Sequence, residues 1–430
     1  MTKPDVIVAG GGFSGCAAAI AAAKAGARVT LLERTDILTA AGIRAGRMNF
    51  NGKLVLAEEA KALGGGEVFQ ALESIILHRG NIVEEKHTYI YDTARVEPVV
   101  RRAVEAAGVT LRLECRVIDV EKNDGALTAV MLAGGEKVAG DVFIDCSGNT
   151  GGVDICTRYG DGCAMCATYR CPVFGNRVSI ATKAGAPELM RIRPDGTPGA
   201  IGAAITIHKS TLKPELRARL EKEGAVSIPL PPDLVDYSKQ QRIGGIRSRS
   251  QMEYVNLVDI GMAAKCVGLG YLSLSALRRL PGLEMAMIEE PLGGGKFNKV
   301  GKVSMAPRND ALRVQGFTNL FVAGEKAGPG TGIAECLCTG IMAGHNAARA
   351  GAGREALILP RTTAIGDFIS YTGEMMEKEG GLNRGYSAGH DVYFERMKEL
   401  GLYSPDPEAA GRRIKDSGLE GILAQEITSS

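Results

Sequence analysis

The chain has no tryptophan, only five histidines, and no run of about 18 apolar residues free of charge or glycine. The last absence excludes a membrane-spanning helix, which needs about that length to cross the hydrocarbon core. Net charge is +2 on 430 residues, so no whole-chain field favours nucleic acid. The start, MTKPDVIVAGGG, shows no cleavable signal pattern and enters an apolar run at once, so a cytoplasmic location is expected. No histidine pairs with another at metal-site spacing, and no internal repeat or low-complexity stretch stands out. Apolar residues make up 45% and charged residues 23%, an ordinary globular balance, and the length allows two or three domains. Glycine is abundant at 57 residues, which suggests tight turns and close backbone approaches to a ligand. Ten cysteines in a cytosolic chain point to thiols, metal ligands or reactive groups rather than disulfides.

The first strong pattern is DVIVAGGGFSGCAAAIAAAKAGARVTLLER. Val6 to Ala9 read as a buried parallel strand, an Ala-rich helix follows to about Ala25, and Val29 to Leu32 read as a second strand. Between strand and helix, Gly10-Gly11-Gly12-Phe13-Ser14-Gly15 satisfies G-x-G-x-x-G. Gly10 permits the tight turn, Gly12 lets the backbone approach a pyrophosphate, and Gly15 lets the helix pack close to the strand. The free N–H groups and positive dipole at the helix start suit phosphate. Glu33 ends the second strand, where a carboxylate accepts from ribose hydroxyls, and Arg34 beside it joins the cofactor-binding set. A second dinucleotide site is not expected, because Gly64-Gly65-Gly66 and Gly293-Gly294-Gly295 neither follow a strand nor open a suitable helix.

Two later segments choose between FAD and NAD. Gly140-Asp141-Val142-Phe143-Ile144-Asp145-Cys146-Ser147-Gly148 is a strand ending in Asp-x-Ser-Gly, and it resembles the second FAD motif of glutathione-reductase-like flavoproteins. Asn319 to Glu325, followed by Gly328-Pro329-Gly330-Thr331-Gly332-Ile333-Ala334-Glu335, resembles their closing FAD motif. The resemblance implies that Ser147, Gly148, Gly324 and Glu325 lie along the cofactor. It also implies that a helix from Gly332, Ile333 and Ala334 aims its positive end at the flavin ring, favouring the reduced anionic flavin, and that backbone near Val117 covers the adenine. The stretch NLFVAGEKAGPGTGIAECLCTGIMAGHNAARA, the Pro360/Thr362/Thr363 linker and Glu58-Glu59-Ala60-Lys61-Ala62-Leu63-Gly64-Gly65 sharpen the likeness. The chain resembles the folate- and FAD-dependent RNA uracil-5-methyltransferases and their larger GidA-type relatives over roughly residues 1–150 and 300–375. Those relatives carry a cysteine just before the second helix, whereas Arg44 to Lys53 here contain none.

The expected fold is α/β. A Rossmann-like FAD domain with a parallel sheet and β-meander (1–150 and 301–360) is interrupted by an inserted α+β substrate domain (151–300), and a helical arm (361–430) follows. Residues 35–95 read as helices and loops, in which Arg44, Arg47 and Asn49 face either the cofactor, the substrate or solvent. Apolar spacing suggests helices over Gln251 to Gly268 and Leu272 to Leu280. The basic run QRIGGIRSR, with Arg242, Arg247 and Arg249, suits an acidic substrate or a solvated loop.

The second strong pattern is GDGCAMCATYRCP. Its spacing, Cys156-x6-Cys163-x2-Cys166-x4-Cys171-Pro172, ends in Cys-Pro like bacterial ferredoxin runs, with gaps that differ by a residue or more. Thiolates suit soft metals and clusters. A [4Fe–4S] cluster on these four cysteines is the expectation, with Cys146 as the alternative fourth ligand. A four-cysteine zinc site, a redox or nucleophilic thiol pair, and plain packing are the alternatives. Cys336 at a helix start, where a thiol pKa falls, and His345 on the same helix are the candidates for catalysis. The expected protein is an FAD-dependent oxidoreductase that moves electrons between a small substrate or partner, flavin and cluster. An RNA methyltransferase and a non-catalytic flavin-bearing subunit of a redox complex are the competing readings, and association into a homo-oligomer stays open.

Overall fold

The computed structural model describes residues 3–39, 46–48, 50–82, 85–148, 178–190, 203–237, 250–261, 263–267, 272–293, 304–330, 332–384 and 386–427. Its centre is a five-stranded sheet in the order Leu320–Val322, Val142–Asp145, Asp5–Ala9, Arg28–Leu32, Thr110–Arg112, with every pairing parallel. Val6 to Ala9 and all of Val142–Asp145 are buried, the continuous apolar pattern of strands covered on both faces.

Two helices bring the cofactor motifs together. Phe13–Lys24 is buried from Phe13 to Ala22. It crosses the helix Ile333–Gly351 backbone to backbone, because small residues line the crossing. A Cβ on Gly344 would lie 2.7 Å from the Ala18 carbonyl carbon, and one on Gly340 would lie 3.0 Å from that of Ser14. Residues more than 300 positions apart in sequence are thus set at one end of the sheet. The three-stranded meander Val117–Asn123, Ala126–Leu132 and Lys137–Ala139 lies between Thr110–Arg112 and Val142–Asp145 in the chain.

Three expectations are corrected. Residues 35–95 include an antiparallel sheet of Arg47–Met48, Ile76–Ile82 and Glu85–Tyr91, not helices and loops alone. Residues 251–268 form two paired strands, Tyr254–Asp259 and Ala263–Val267, instead of a helix. Short apolar runs are ambiguous in period, and here Gly261 at φ +93° turns the chain back after six strand residues. Leu272 to Leu280 contains only the one-turn helix Leu274–Leu277. The two strands join Ala225–Pro229, Ala203–His208 and Ile288–Gly293 in a second, antiparallel five-stranded sheet. Leu220, Leu257, Leu277 and Leu283 belong to a core of its own.

The C-terminal region is helical, with Ala364–Glu377, Asp391–Glu399 and Pro407–Asp416, and it packs back onto the main core. Tyr386, Tyr393, Met397, Ile414 and Leu423 belong to the same core as the parallel sheet, and the helix Pro407–Asp416 packs on the helix Gly52–Ala62. Among the described residues no helix is long and apolar enough to cross a membrane.

Candidate functional site: a dinucleotide cavity at the sheet's C-terminal edge

A cavity opens where the parallel strands end, the usual place for a ligand in an α/β sheet. Of the residues expected to bind the cofactor, Gly10, Gly12, Phe13, Ser14, Glu33, Arg34, Val117, Ser147, Gly148, Glu325, Gly332 and Ile333 line it. Gly15, Gly324 and Ala334 do not, and they shape it from behind. A side chain at Gly15 would run into the Gly10 carbonyl. Gly324 sits at φ +66°, and a Cβ there would lie 2.6 Å from Ser14 Oγ. Ala334 is buried within its helix.

Gly12 is the informative glycine. It caps the first helix with φ −72° and no side-chain cap bond, and an added Cβ would meet nothing within 4 Å. No protein contact demands glycine there, so the open space on the cavity side is what a phosphate would use. The helix Ile333–Gly351 starts in the same way, with Gly332 as an N-cap lacking a side-chain bond. Two helix N-termini with unsatisfied amides therefore border one cavity.

At the other end, the Glu33 carboxylate is fixed. Its Oε2 accepts from Gly11 N at 2.7 Å, and its Oε1 accepts from Thr35 N and Oγ1, both at 2.9 Å. Carboxylate oxygens have lone pairs to spare for ribose hydroxyls. Thr35, Cys115, Arg116 and Val178 also line the cavity. Sequence reasoning missed them; Thr35 and the two residues before Val117 were close enough to the motifs to have been found.

The edge near Gly148 is held by Asp145, fully buried at the end of its strand. Its Oδ1 accepts from Ser147 N at 2.9 Å, and its Oδ2 accepts from Ser179 Oγ at 2.6 Å and Ala181 N at 3.0 Å. One carboxylate thus ties Ser147 to Ser179, and their neighbours Gly148 and Val178 line the cavity.

Cys156, Cys163, Cys166 and Cys171 lie outside the described residues, as do Arg44, Asn49 and the run containing Arg242, Arg247 and Arg249. Among the described residues no group of three or more His, Cys, Asp or Glu side chains could hold a metal ion. Cys146, the alternative fourth ligand, is a buried residue of the cavity wall. Burial, with Asp145 nearby, pushes its thiol well above the ordinary cysteine pKa. Cys336 also lines the cavity, but burial, then Glu325 and Glu335, raise its pKa. The expectation that the helix start would lower it is corrected, because one helix dipole does not offset desolvation and two carboxylates.

His345 is corrected too. It lies twelve positions into its helix, 1% exposed, and is not among the cavity residues. Neither ring nitrogen has a hydrogen-bond partner, and burial, with Arg349 nearby, lowers its pKa to about 4. A histidine whose folded pKa is depressed stabilises the protein above its unfolded pKa, and that contribution is lost as pH falls from 6.5 towards 4. Denaturant titrations across that window should show His345→Leu losing less stability than wild type, by about 1–3 kcal/mol. Parallel pH profiles for the two proteins would overturn this.

Comparison with known proteins agrees with the geometry. The family described as FAD dependent oxidoreductase matches residues 5–153, and that described as Glucose inhibited division protein A matches residues 272–355. The methylenetetrahydrofolate–tRNA-(uracil-5-)-methyltransferase TrmFO of Symbiobacterium thermophilum is 27% identical over 417 residues, 86% of this chain and 87% of the relative. The TrmFO of Streptococcus uberis is 49% identical over 98 residues, 23% of this chain and 18% of the relative. The structure of Aquifex aeolicus GidA has a TM-score of 0.62 at 17% identity, covering 96% of this chain and 76% of that one, which is a likeness of fold. The match over residues 5–153 and the relative that spans most of the chain agree on an FAD-dependent oxidoreductase, and the fold is consistent with it. The Rossmann sheet, the three FAD motifs on one cavity and a relative spanning most of the chain leave a narrower statement. The chain is similar to the GidA- and TrmFO-type FAD-dependent flavoproteins.

Proposed function

We propose that this flavoprotein exchanges electrons between a small substrate or redox partner and a cluster held by Cys156, Cys163, Cys166 and Cys171, with the bound FAD between them. Bound FAD supplies two-electron chemistry at its ring and can pass electrons on singly. In this reading Gly12 and the start of the first helix hold the pyrophosphate, and Glu33 orients the ribose. The start of the helix at Ile333 faces the ring.

The observation that carries the reading is where the cysteine segment leaves and rejoins the described chain. It departs after Gly148 and returns at Val178, both in the cavity wall and each next to a serine, Ser147 or Ser179, bonded to Asp145. Cys171 is seven residues before Val178 in the sequence. Protein purified without oxygen should contain about four irons per chain and matching sulfide, with broad absorbance under the flavin bands. Cys163→Ser with Cys166→Ser should lose the iron and keep the FAD. Flavin bands without iron in the anaerobic protein would sink the cluster.

A second reading is favoured by the TrmFO relative that spans most of the chain. It has the protein transfer a carbon unit from methylenetetrahydrofolate to a uracil in tRNA. Such an enzyme binds tRNA with an affinity that falls steeply as salt rises. Absence of both tRNA binding at low salt and folate-dependent uracil methylation would dismiss it.

A further inference from the structure

Lys53 and Glu335 form an ion pair with side chains 8% and 1% exposed, Nζ to Oε2 at 3.5 Å. Three distant parts of the chain build it. Lys53 comes from the first turn of Gly52–Ala62, and its ammonium sits 4.8 Å from the centroid of the Phe50 ring. Glu335 comes from the first turn of Ile333–Gly351. Its Oε1 accepts from Ala388 N at 2.9 Å and Ser387 Oγ at 3.1 Å, which fixes the carboxylate from the C-terminal region. No residue of the established cofactor motifs other than the helix start takes part.

The pair stands directly behind Gly332, at the helix start that the closing FAD motif would turn towards a flavin ring. Gly332 lines the cavity at φ +137°, and a Cβ on it would lie 2.5 Å from Glu335 Oε2 and collide with Lys53 Nζ. Only a glycine lets both charges come this close to the cavity wall. Their fields reach into the wall: Lys53 lowers, and Glu335 raises, the pKa of the Cys336 thiol that lines it. Burying two charges costs several kcal/mol each, and as a fastening such a pair does little that apolar side chains would not. In a low-dielectric wall, however, a held charge acts strongly on whatever occupies the cavity.

We propose that the Lys53–Glu335 pair sets the reduction potential of the bound flavin. Lys53 is the tuning charge, and Glu335 is the positioning residue that holds it and offsets it. Reduction adds electrons to the flavin, so a nearby positive charge favours the reduced form and a nearby negative charge opposes it. Removing each member of the pair should then move the potential in opposite directions. The inference rests on FAD binding and not on the cysteine cluster, so the two can fail separately.

The test uses full-length, FAD-loaded protein brought to equilibrium with a reference dye during slow reduction. Lys53→Met should disfavour flavin reduction about ten-fold, which is about 30 mV downward for a two-electron couple. Glu335→Gln should favour it by about the same factor, and Lys53→Arg should stay near wild type. FAD content and melting temperature are read on the same samples. A fastening role alone would lower the melting temperature of both charge-removing variants without opposite shifts in potential. Shifts of the same sign, or potentials within two-fold of wild type in both variants, would overturn the proposal. If Lys53→Met cannot retain FAD, Glu335→Gln decides alone: an upward shift supports the tuning role and an unchanged potential overturns it.

Discussion

Gly12→Ala should leave the fold intact and lose FAD, whereas Gly10→Ala should lose both. At Gly12 the backbone has φ −72°, which alanine adopts freely, and the new methyl would touch nothing within 4 Å. Stability without cofactor should therefore stay within about 0.5 kcal/mol of wild type. The methyl nevertheless enters the space where backbone and pyrophosphate must approach, so FAD affinity should fall about ten-fold or more. At Gly10 the backbone has φ +109°, and a Cβ would lie 2.5 Å from the Cys146 carbonyl oxygen and 2.9 Å from its carbon. These are backbone atoms just past the end of the adjoining parallel strand, and they cannot swing aside. The strained dihedral alone costs about 1–3 kcal/mol, before any clash is counted. Fluorescence titration with FAD and thermal melting of the apo protein separate the two effects. Normal FAD affinity in Gly12→Ala would mean that the loop does not approach the cofactor.

Glu59→Ala should cost about 3–5 kcal/mol and could leave the protein unfolded at physiological temperature, although Glu59 is far from any chemistry. The side chain is fully buried. Its Oε1 accepts from Ala364 N at 2.9 Å and Arg413 Nη1 at 2.8 Å, and its Oε2 accepts from Ile365 N at 2.9 Å. The amides open the helix Ala364–Glu377, and the guanidinium comes from the helix Pro407–Asp416. One carboxylate therefore joins three helices, and its removal leaves two amides and a cation without their acceptor. Glu58→Ala is the control. Its side chain is 25% exposed in an ion pair with Lys61, and such pairs contribute about 0–1 kcal/mol. Urea unfolding of both variants tests the contrast, and equal losses would show that burial of Glu59 does not matter.

The adjacent glutamates also show where reading the sequence stopped. Glu58 and Glu59 stand side by side in a helical stretch, and nothing local tells them apart. Which one is buried depends on where the last 70 residues fold. The same limit hides where the C-terminal helices pack. Their apolar positions are spaced like those of any amphipathic helix, and only the tertiary structure shows Tyr393 and Met397 buried in the main core. The strands at Tyr254–Asp259 and Ala263–Val267 were misread because their burial comes from both sheet faces, which removes the alternation that marks a strand.

The sequence by itself determined the FAD domain. Glycine at fixed offsets, an apolar strand before it and an acid after it are local requirements of a backbone that must turn sharply beside a phosphate, so they are written in consecutive residues. It also marked the later motifs at Asp145 to Gly148 and Gly324 to Ala334, because each is a strand end or helix start with its own turn chemistry. Only the tertiary structure decided what lies around that cofactor. It paired Lys53 with Glu335, linked Ser147 to Ser179 through Asp145, and moved His345 away from the site. These contacts join residues tens to hundreds of positions apart, and no local pattern encodes them. They follow from how the helix crossing at Gly340 and Gly344 and the C-terminal helices close the core.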